Sequence, residues 1–203
     1  DGRQKYLPAD EYLSGNVREK LEWARRSAEL YPEDYSENVR ALEAVQPVDL
    51  TASEISVRLG ATWLPPEIAE QFMFELFGTP RYCQWNIHVH YAQYTGEWNV
   101  EGKSYDRSNV KAYNTYGTGR VNCYKIIEEP LNLRDVRIFD YIEDGNGRKT
   151  AVLNKKETAI AQGKQELIKQ AFADWIWSNP ERREQLTKLY NEKFNSIRPR
   201  EYD

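Results

Sequence analysis

The apolar and polar positions of the first forty-five residues predict two helices joined by a sharp break. Val17 and Leu21 begin a stripe with the spacing of one helical face. The pattern stops at Tyr31-Pro32 and resumes at Val39. A helical hairpin is therefore predicted, and Ser14 is a candidate N-cap for its first helix.

Two further helices are predicted before residue 80. The stretch DLTASEISVRLG favours a short helix, because Thr51 and Glu54 have the spacing of a capping box. In LPPEIAEQFMFELFG, Pro65 and Pro66 suit a first helical turn, and Gly78 is a typical stop. This second stretch is the clearer helix.

The pattern then changes to the period of two that is typical of β-strands. Ile87, Val89 and Tyr91 alternate with polar residues, and a second run follows a Thr95-Gly96 turn, which predicts a hairpin. A second hairpin is predicted in VRIFDYIEDGNGRKTAVL around its Asp-Gly-Asn-Gly turn. Between the hairpins, RVNCYKIIEEPLNL has helical spacing.

The last quarter returns to helical spacing. The predicted buried stripe of the first C-terminal helix consists of Ile160, Leu167, Ile168, Phe172, Trp175 and Ile176. A final helix is predicted from SNPERREQL, with Pro180 in its first turn and Leu186, Leu189 and Phe194 buried. Helices that flank short hairpins indicate an α+β fold.

We expect the whole chain, 1–203, to be one accessory region of a larger protein. Its helical part is predicted at 1–80, a mixed part with two β-hairpins at 81–153, and C-terminal helices at 154–203. The chain opens without Met and ends in an Arg-Pro-Arg coil, which is why we expect a piece of a longer polypeptide.

Composition suggests an ordinary cytoplasmic domain. Hydrophobic residues make up 40% and charged residues 30% of the 203 residues. No apolar run approaches the length of a membrane span, and no secretory leader is visible, so no membrane partner is expected. Cys83 and Cys123 are too few for a disulfide framework, so buried free thiols are predicted.

The sequence offers only weak candidates for catalytic and metal chemistry. The chain has no phosphate-binding P-loop motif, so no cofactor is predicted for it. The loop TYGTGR could present N–H groups to a phosphate, but a turn whose glycines adopt positive φ is the commoner explanation. His88 and His90 share a strand face without a recognisable fourth ligand, and Glu128-Glu129 is interpreted as solvated helix surface. We predict neither catalytic residues nor a metal site.

Charge distribution points to one candidate binding segment. The net charge is −4, but residues 102–125 hold 5 basic and 1 acidic side chains, giving +4. Cations bind phosphate and aromatic rings stack on bases, so this segment, named the ribbon, is a candidate nucleic-acid contact. The alternative is that its tyrosines are core residues and its cations only solvate the surface. The candidate residues are Lys103, Arg107, Lys111, Tyr113, Tyr116, Arg120 and Lys125.

Four stretches carry a family resemblance. YLSGNVREKL, EAVQPVDLTASEISVRLGATWLPP, TYGTGRVNCYKIIEEPLNLRDVRIFD and FNSIRPREYD resemble a segment of very large bacterial, phage and mobile-element proteins. Those proteins combine a DNA adenine methyltransferase-like region with a Swi/Snf-type superfamily 2 helicase motor, and are often labelled as type I restriction enzyme R-like or helicase proteins. The resemblance runs across nearly the whole chain.

The resemblance implies a place and a role for this chain. The segment would lie just before the motor, whose phosphate-binding motif, with ATP and Mg, would follow Asp203. It implies a non-catalytic accessory fragment of a restriction-modification or helicase protein that helps to position DNA for the motor. The alternative is a structural connector between the methyltransferase-like and helicase regions, without DNA contact. No methyltransferase or helicase motif lies within residues 1–203.

Overall fold

A computed structural model describes residues 6–200 of the chain. Residues 1–5 and 201–203 lie outside the described part, and the second of these segments contains the end of the motif FNSIRPREYD. The described chain forms two compact units. One contains the residues up to Ile55 and those from Arg183 onward, and the other is Ser56–Arg182. The prediction of one accessory region concerns the chain's place in a larger protein and stays a prediction.

The first unit is built on the predicted helical hairpin. Its elements are α1 (Ala9–Tyr12), β1 (Gly15–Asn16), α2 (Val17–Leu30), α3 (Pro32–Ala44), most of α8 (Pro180–Phe194) and β6 (Ile197–Arg198). Helices α2 and α3 pack through the buried side chains of Val17, Leu21, Ala24 and Leu42. Asn16, not Ser14, caps α2, because its Oδ1 accepts the Glu19 N–H at 3.2 Å.

Two features of the first unit differ from the sequence expectation. Strand β1 pairs antiparallel with β6, with Gly15 opposite Arg198. This pair was not predicted, because a two-residue strand is too short to show an alternation of apolar and polar residues. The prediction of a short helix at DLTASEISVRLG is wrong. The Glu54 carboxylate does accept the Thr51 N–H at 2.8 Å, but the chain makes only a turn there. A single capped turn does not by itself propagate a helix, because helix nucleation is costly.

The second unit carries both predicted hairpins and confirms the α+β fold. Its elements are α4 (Pro66–Phe77), α5 (Arg81–Gln84), β2 (His88–Ala92), β3 (Glu97–Glu101), a π-helical turn (Lys111–Thr115), α6 (Cys123–Leu131), β4 (Phe139–Glu143), β5 (Lys149–Leu153), α7 (Lys155–Ile176) and the start of α8. Strands β2 and β3 pair antiparallel with Val89 opposite Val100, and β4 and β5 with Tyr141 opposite Ala151. Gly78 ends α4, as predicted, and adopts the left-handed conformation.

The core of the second unit is formed mainly by α4, α6 and α7. Phe72 of α4 packs edge-to-face on Phe172 of α7, with ring centroids 5.1 Å apart. The predicted stripe of α7 is only partly buried, since Ile168, Phe172 and Ile176 are inside whereas Ile160 and Leu167 are exposed.

Helix α8 buries Leu186, whereas Phe194, predicted to be buried, is 59% exposed. Within residues 6–200, no helix combines the length and apolar character needed to cross a membrane.

Candidate nucleic-acid interface

The segment 102–109 at the start of the ribbon is held tightly against the second unit's core. Gly102 has φ +71°, and a Cβ there would lie 1.8 Å from the Asn86 carbonyl oxygen, so only glycine fits. The Asn122 side chain donates to the Lys103 carbonyl oxygen at 2.7 Å. The Asn109 side chain donates to the Phe77 carbonyl oxygen at 2.9 Å. These contacts fix the segment's backbone.

A buried polar cluster anchors the same segment to α6. Asp106 is fully buried, and its carboxylate accepts the Tyr124 hydroxyl and the Asn109 amide, each at 2.7 Å. The Tyr124 hydroxyl also lies 2.7 Å from the hydroxyl of Thr79. Burial raises the pKa of Tyr124, so the phenol stays protonated and remains a donor to Asp106. Tyr124 is therefore a core residue.

Lys103 and Lys125 of the ribbon converge on Glu128, and the prediction that Glu128 lies on a solvated surface is wrong. The Glu128 carboxylate is buried, accepts the Val100 N–H at 2.8 Å, and pairs with the ammonium of Lys103. The Lys125 ammonium lies 3.6 Å away. Burial raises the pKa of Glu128, but the hydrogen bonds from Lys103 and the Val100 N–H, with both lysine charges, outweigh it and lower the pKa. Lys103 therefore has a structural partner.

Two further predicted site residues, Tyr116 and Arg120, are also engaged within the protein, and a third, Tyr113, is half-buried. Tyr113 and Tyr116 are half-buried, and the ring of Tyr116 lies 5.6 Å from that of Phe77. The Arg120 guanidinium pairs with Asp140 at 2.9 Å and donates to the Phe139 carbonyl oxygen at 3.1 Å. Arg120 thus ties the ribbon to strand β4.

The TYGTGR loop uses the N–H groups of Thr118 and Arg120 internally. The Thr118 N–H donates to the Val121 carbonyl oxygen at 2.7 Å, and the Thr118 hydroxyl accepts the N–H groups of Arg120 and Val121, each at 3.1 Å. Neither Gly117 nor Gly119 has positive φ, contrary to the commoner explanation offered for them. Gly117 is required by close packing instead, because a Cβ there would meet the Ala112 carbonyl oxygen at 2.0 Å.

Three ribbon residues are open to solvent, and a second exposed segment of the chain lies near them. Tyr105 is 58% exposed, and Arg107 and Lys111 are exposed as well. Helix α5 and the next residue add Tyr82 and Trp85, which are 68% and 84% exposed. We name this set the aromatic–cation surface. Its members are Arg81, Tyr82, Trp85, Tyr105, Arg107 and Lys111.

Short contacts bring these two chain segments together. The Cys83 thiol, between Tyr82 and Trp85 in sequence, donates to the Tyr105 carbonyl oxygen at 3.8 Å. Within the second of these segments, the Arg107 guanidinium donates to the Ser104 carbonyl oxygen at 3.1 Å. The Lys111 side chain lies beside Gly78, three residues before Arg81.

The cations of the aromatic–cation surface keep their charge available. Among residues 6–200, no carboxylate forms an ion pair with Arg81, Arg107 or Lys111.

Sequence reasoning missed Arg81, Tyr82 and Trp85. The signal was the run RYCQW, in which a cation and two aromatic residues surround one cysteine. It was missed because the positive window was counted from residue 102, and the two segments become neighbours only through the fold.

The histidines and cysteines have ordinary surroundings. His90 lies 3.1 Å from Glu101 and His88 lies 3.5 Å from Glu70. Cys83 and Cys123 are buried free thiols, as predicted, and burial raises the pKa of the Cys123 thiol. Across residues 6–200, no group of three or more His, Cys, Asp or Glu residues is placed to hold a metal ion.

Comparison with known proteins identifies one family. A family model described as a domain of unknown function, DUF8437, matches residues 58–196. The chain belongs to this family. No curated protein and no solved structure matches the chain. The span matched by the DUF8437 model contains the ribbon, the aromatic–cation surface and both hairpins of the second unit.

Proposed function

We propose that this DUF8437 chain is a non-catalytic accessory part of a larger cytoplasmic DNA-acting protein. In that role it holds single-stranded DNA for an ATP- and Mg-dependent helicase motor of the same polypeptide. The observation that supports DNA contact is the aromatic–cation surface, where three exposed aromatic rings lie among three unpaired cations of the described chain. The place beside a motor and a methyltransferase-like region rests on the sequence resemblance.

The chemistry of this surface suits single-stranded DNA better than a duplex. Unpaired bases offer their faces for stacking on aromatic side chains, whereas the bases of a duplex are already stacked on each other. The cations of Arg81, Arg107 and Lys111 supply phosphate contacts that are independent of base sequence. Lys103 and Arg120 contribute less to this proposal because Glu128 and Asp140 partly neutralise them.

We expect the aromatic rings to dominate binding to labelled oligothymidine in fluorescence anisotropy at low salt. Trp85→Ala and Tyr105→Ala should each weaken binding about tenfold, since one stacked base contributes roughly 1–3 kcal/mol. Arg107→Gln and Lys111→Gln should each reduce the slope of log K against log salt by about 0.7. Tyr94→Ala is the matched control, because Tyr94 is fully exposed at the β2–β3 turn, outside this surface.

Two results would count against the proposal. If the protein binds neither single- nor double-stranded DNA at low salt, the accessory DNA-binding role has lost its support. If Tyr94→Ala weakens binding as much as Trp85→Ala does, the contact is not localised at the aromatic–cation surface.

A structural connector is the second candidate, and the β4–β5 hairpin favours it. None of the hairpin's ten strand residues is buried. Tyr141 and Ile142 point to opposite faces of the hairpin and are 73% and 57% exposed. A solvated two-stranded hairpin is only marginally stable, so packing against the motor region of the parent protein would stabilise it.

Hydrogen exchange tests the connector role. We expect the amides of residues 139–153 to exchange slowly in the full-length parent protein and faster in the isolated chain, because docking covers both apolar faces. The β2–β3 turn, residues 93–96, serves as the internal control and should exchange alike in both. Equal exchange of residues 139–153 in the two proteins would remove this candidate.

A further inference from the structure

A cleft in the second unit has the shape and charge of a ligand site that is separate from the aromatic–cation surface. It has a volume of about 330 Å³, within the range of small-molecule sites. Its walls come from residues 57–59, from the end of α6 with the turn that follows, and from one face of α7. The ribbon residues contribute nothing to its lining.

The walls of the cleft are firmly built. Gly60 has φ +86°, and a Cβ there would lie 2.3 Å from the Leu131 carbonyl oxygen. The backbone at Gly60 therefore lies directly against the end of α6. Leu133 then adopts φ 59°, a left-handed conformation that is rare for leucine. The buried Gln165 side chain accepts the Val136 N–H at 2.8 Å and donates to Asp135 at 2.8 Å.

The cleft combines an apolar floor with an excess of positive charge. The buried residues Leu59, Pro130 and Phe172 form apolar lining, and Leu133, 59% exposed, stands at its edge. Three cationic residues line the cleft, against the single carboxylate of Asp135. They are Arg58, Arg134 and Lys169.

The three cations differ in how far they are already neutralised. Arg134 pairs with Glu129 at 3.3 Å and Lys169 with Glu166 at 2.9 Å, and both carboxylates lie outside the lining. The side chains of Arg134 and Lys169 are about half exposed, so both ion pairs are weak. The anionic group of a ligand can therefore replace the carboxylate in either pair. Arg58 is exposed and forms no ion pair within residues 6–200.

We infer that this cleft binds a small organic anion with an apolar body. The apolar part would lie on Leu59, Pro130 and Phe172, where it is removed from water. The carboxylate, sulfonate or phosphate would face Arg58 and Lys169. This inference is independent of the proposed DNA contact, since the two sites share no residue.

Binding of 8-anilinonaphthalene-1-sulfonate to the whole chain tests the inference. We expect one saturable site by fluorescence titration and calorimetry, with chemical-shift changes confined to the cleft residues. Inorganic sulfate, which lacks the apolar body, and 1-naphthalenemethanol, which lacks the charge, should each bind at least about tenfold more weakly.

Variants locate the site. Arg58→Gln and Lys169→Gln should each weaken binding about fivefold, and Ala173→Phe should abolish it by filling the cleft. Lys156→Gln is the matched control, because Lys156 is exposed on α7 outside the cleft and should leave binding unchanged. Circular dichroism melting separates lost binding from lost folding.

Three outcomes would overturn the inference. The first is that no saturable binding is observed, and the second is that the charged and neutral naphthalenes bind equally well. The third is that Arg58→Gln and Ala173→Phe bind as the wild type does. None of these outcomes affects the oligothymidine result, so failure of this site and failure of the DNA proposal can be told apart.

Discussion

Replacing Gly117 by Ala is expected to lower the melting temperature by roughly 10 °C, equivalent to about 3 kcal/mol of stability. The added Cβ would lie 2.0 Å from the carbonyl oxygen of Ala112 and 3.1 Å from the backbone nitrogen of Cys123. Both neighbours are backbone atoms, so no side-chain rotation relieves the contact. The π-helical turn Lys111–Thr115 and the start of α6 would have to move apart.

Gly119→Ala is the control for this prediction. It lies two residues further along the same loop, and a Cβ there would meet no atom within 4 Å. We expect its stability to stay within about 0.5 kcal/mol of the wild-type value. Equal melting temperatures for the two variants, measured by circular dichroism, would show that the close packing around Gly117 is not a constraint.

Replacing Glu128 by Ala is expected to lower the free energy of unfolding by about 3 kcal/mol. The change leaves the buried Val100 N–H without its acceptor and the Lys103 ammonium without its partner. Glu128→Gln should cost less, since its amide oxygen can still accept the Val100 N–H. Urea unfolding followed by tryptophan fluorescence provides the measurement.

Lys125→Gln separates the two lysines that face Glu128. The Lys125 side chain is 53% exposed and 3.6 Å from the carboxylate, so its loss should cost less than about 0.5 kcal/mol. If Glu128→Ala destabilises the protein no more than Lys125→Gln does, then Glu128 behaves as a solvent-exposed surface residue, as its sequence context suggested.

The lowered pKa of Glu128 also sets a pH dependence. The carboxyl group has a lower pKa folded than unfolded, so its ionised form stabilises the folded state above the ordinary value of 4.5. That contribution is lost as the pH falls through the lower, folded pKa, because the group becomes protonated. The stability difference between the wild type and Glu128→Gln should therefore shrink on acidification below 4.5.

Local periodicity was enough to predict most of the elements in this chain. The break at Tyr31-Pro32, the stop at Gly78 and the Asp-Gly-Asn-Gly turn each impose a backbone conformation through one or a few residues. The Thr51–Glu54 box shows where this reasoning fails, since its contacts form without a helix following. A capping contact is local and does not by itself fix the conformation of the residues that follow.

The candidate site could be predicted only in part. Tyr105, Arg107 and Lys111 are exposed and lie within the ribbon, and Arg107 and Lys111 are among its predicted site residues. Tyr116, in contrast, packs on Phe77, and Lys103 pairs with Glu128. A charge count along the sequence cannot separate these cases, because it records residue type without burial or partner. Whether the seven predicted residues bind DNA stays a prediction.

The sequence by itself determined the α+β class and both hairpins, because turn residues and apolar spacing act over a few neighbouring positions. Tertiary structure decided that Glu128 is a buried ion-pair partner, and that RYCQW lies beside Tyr105. It also decided that Arg58 and Lys169 share a cleft. These relations join residues more than twenty positions apart, and burial and partner choice depend on the packing of distant segments.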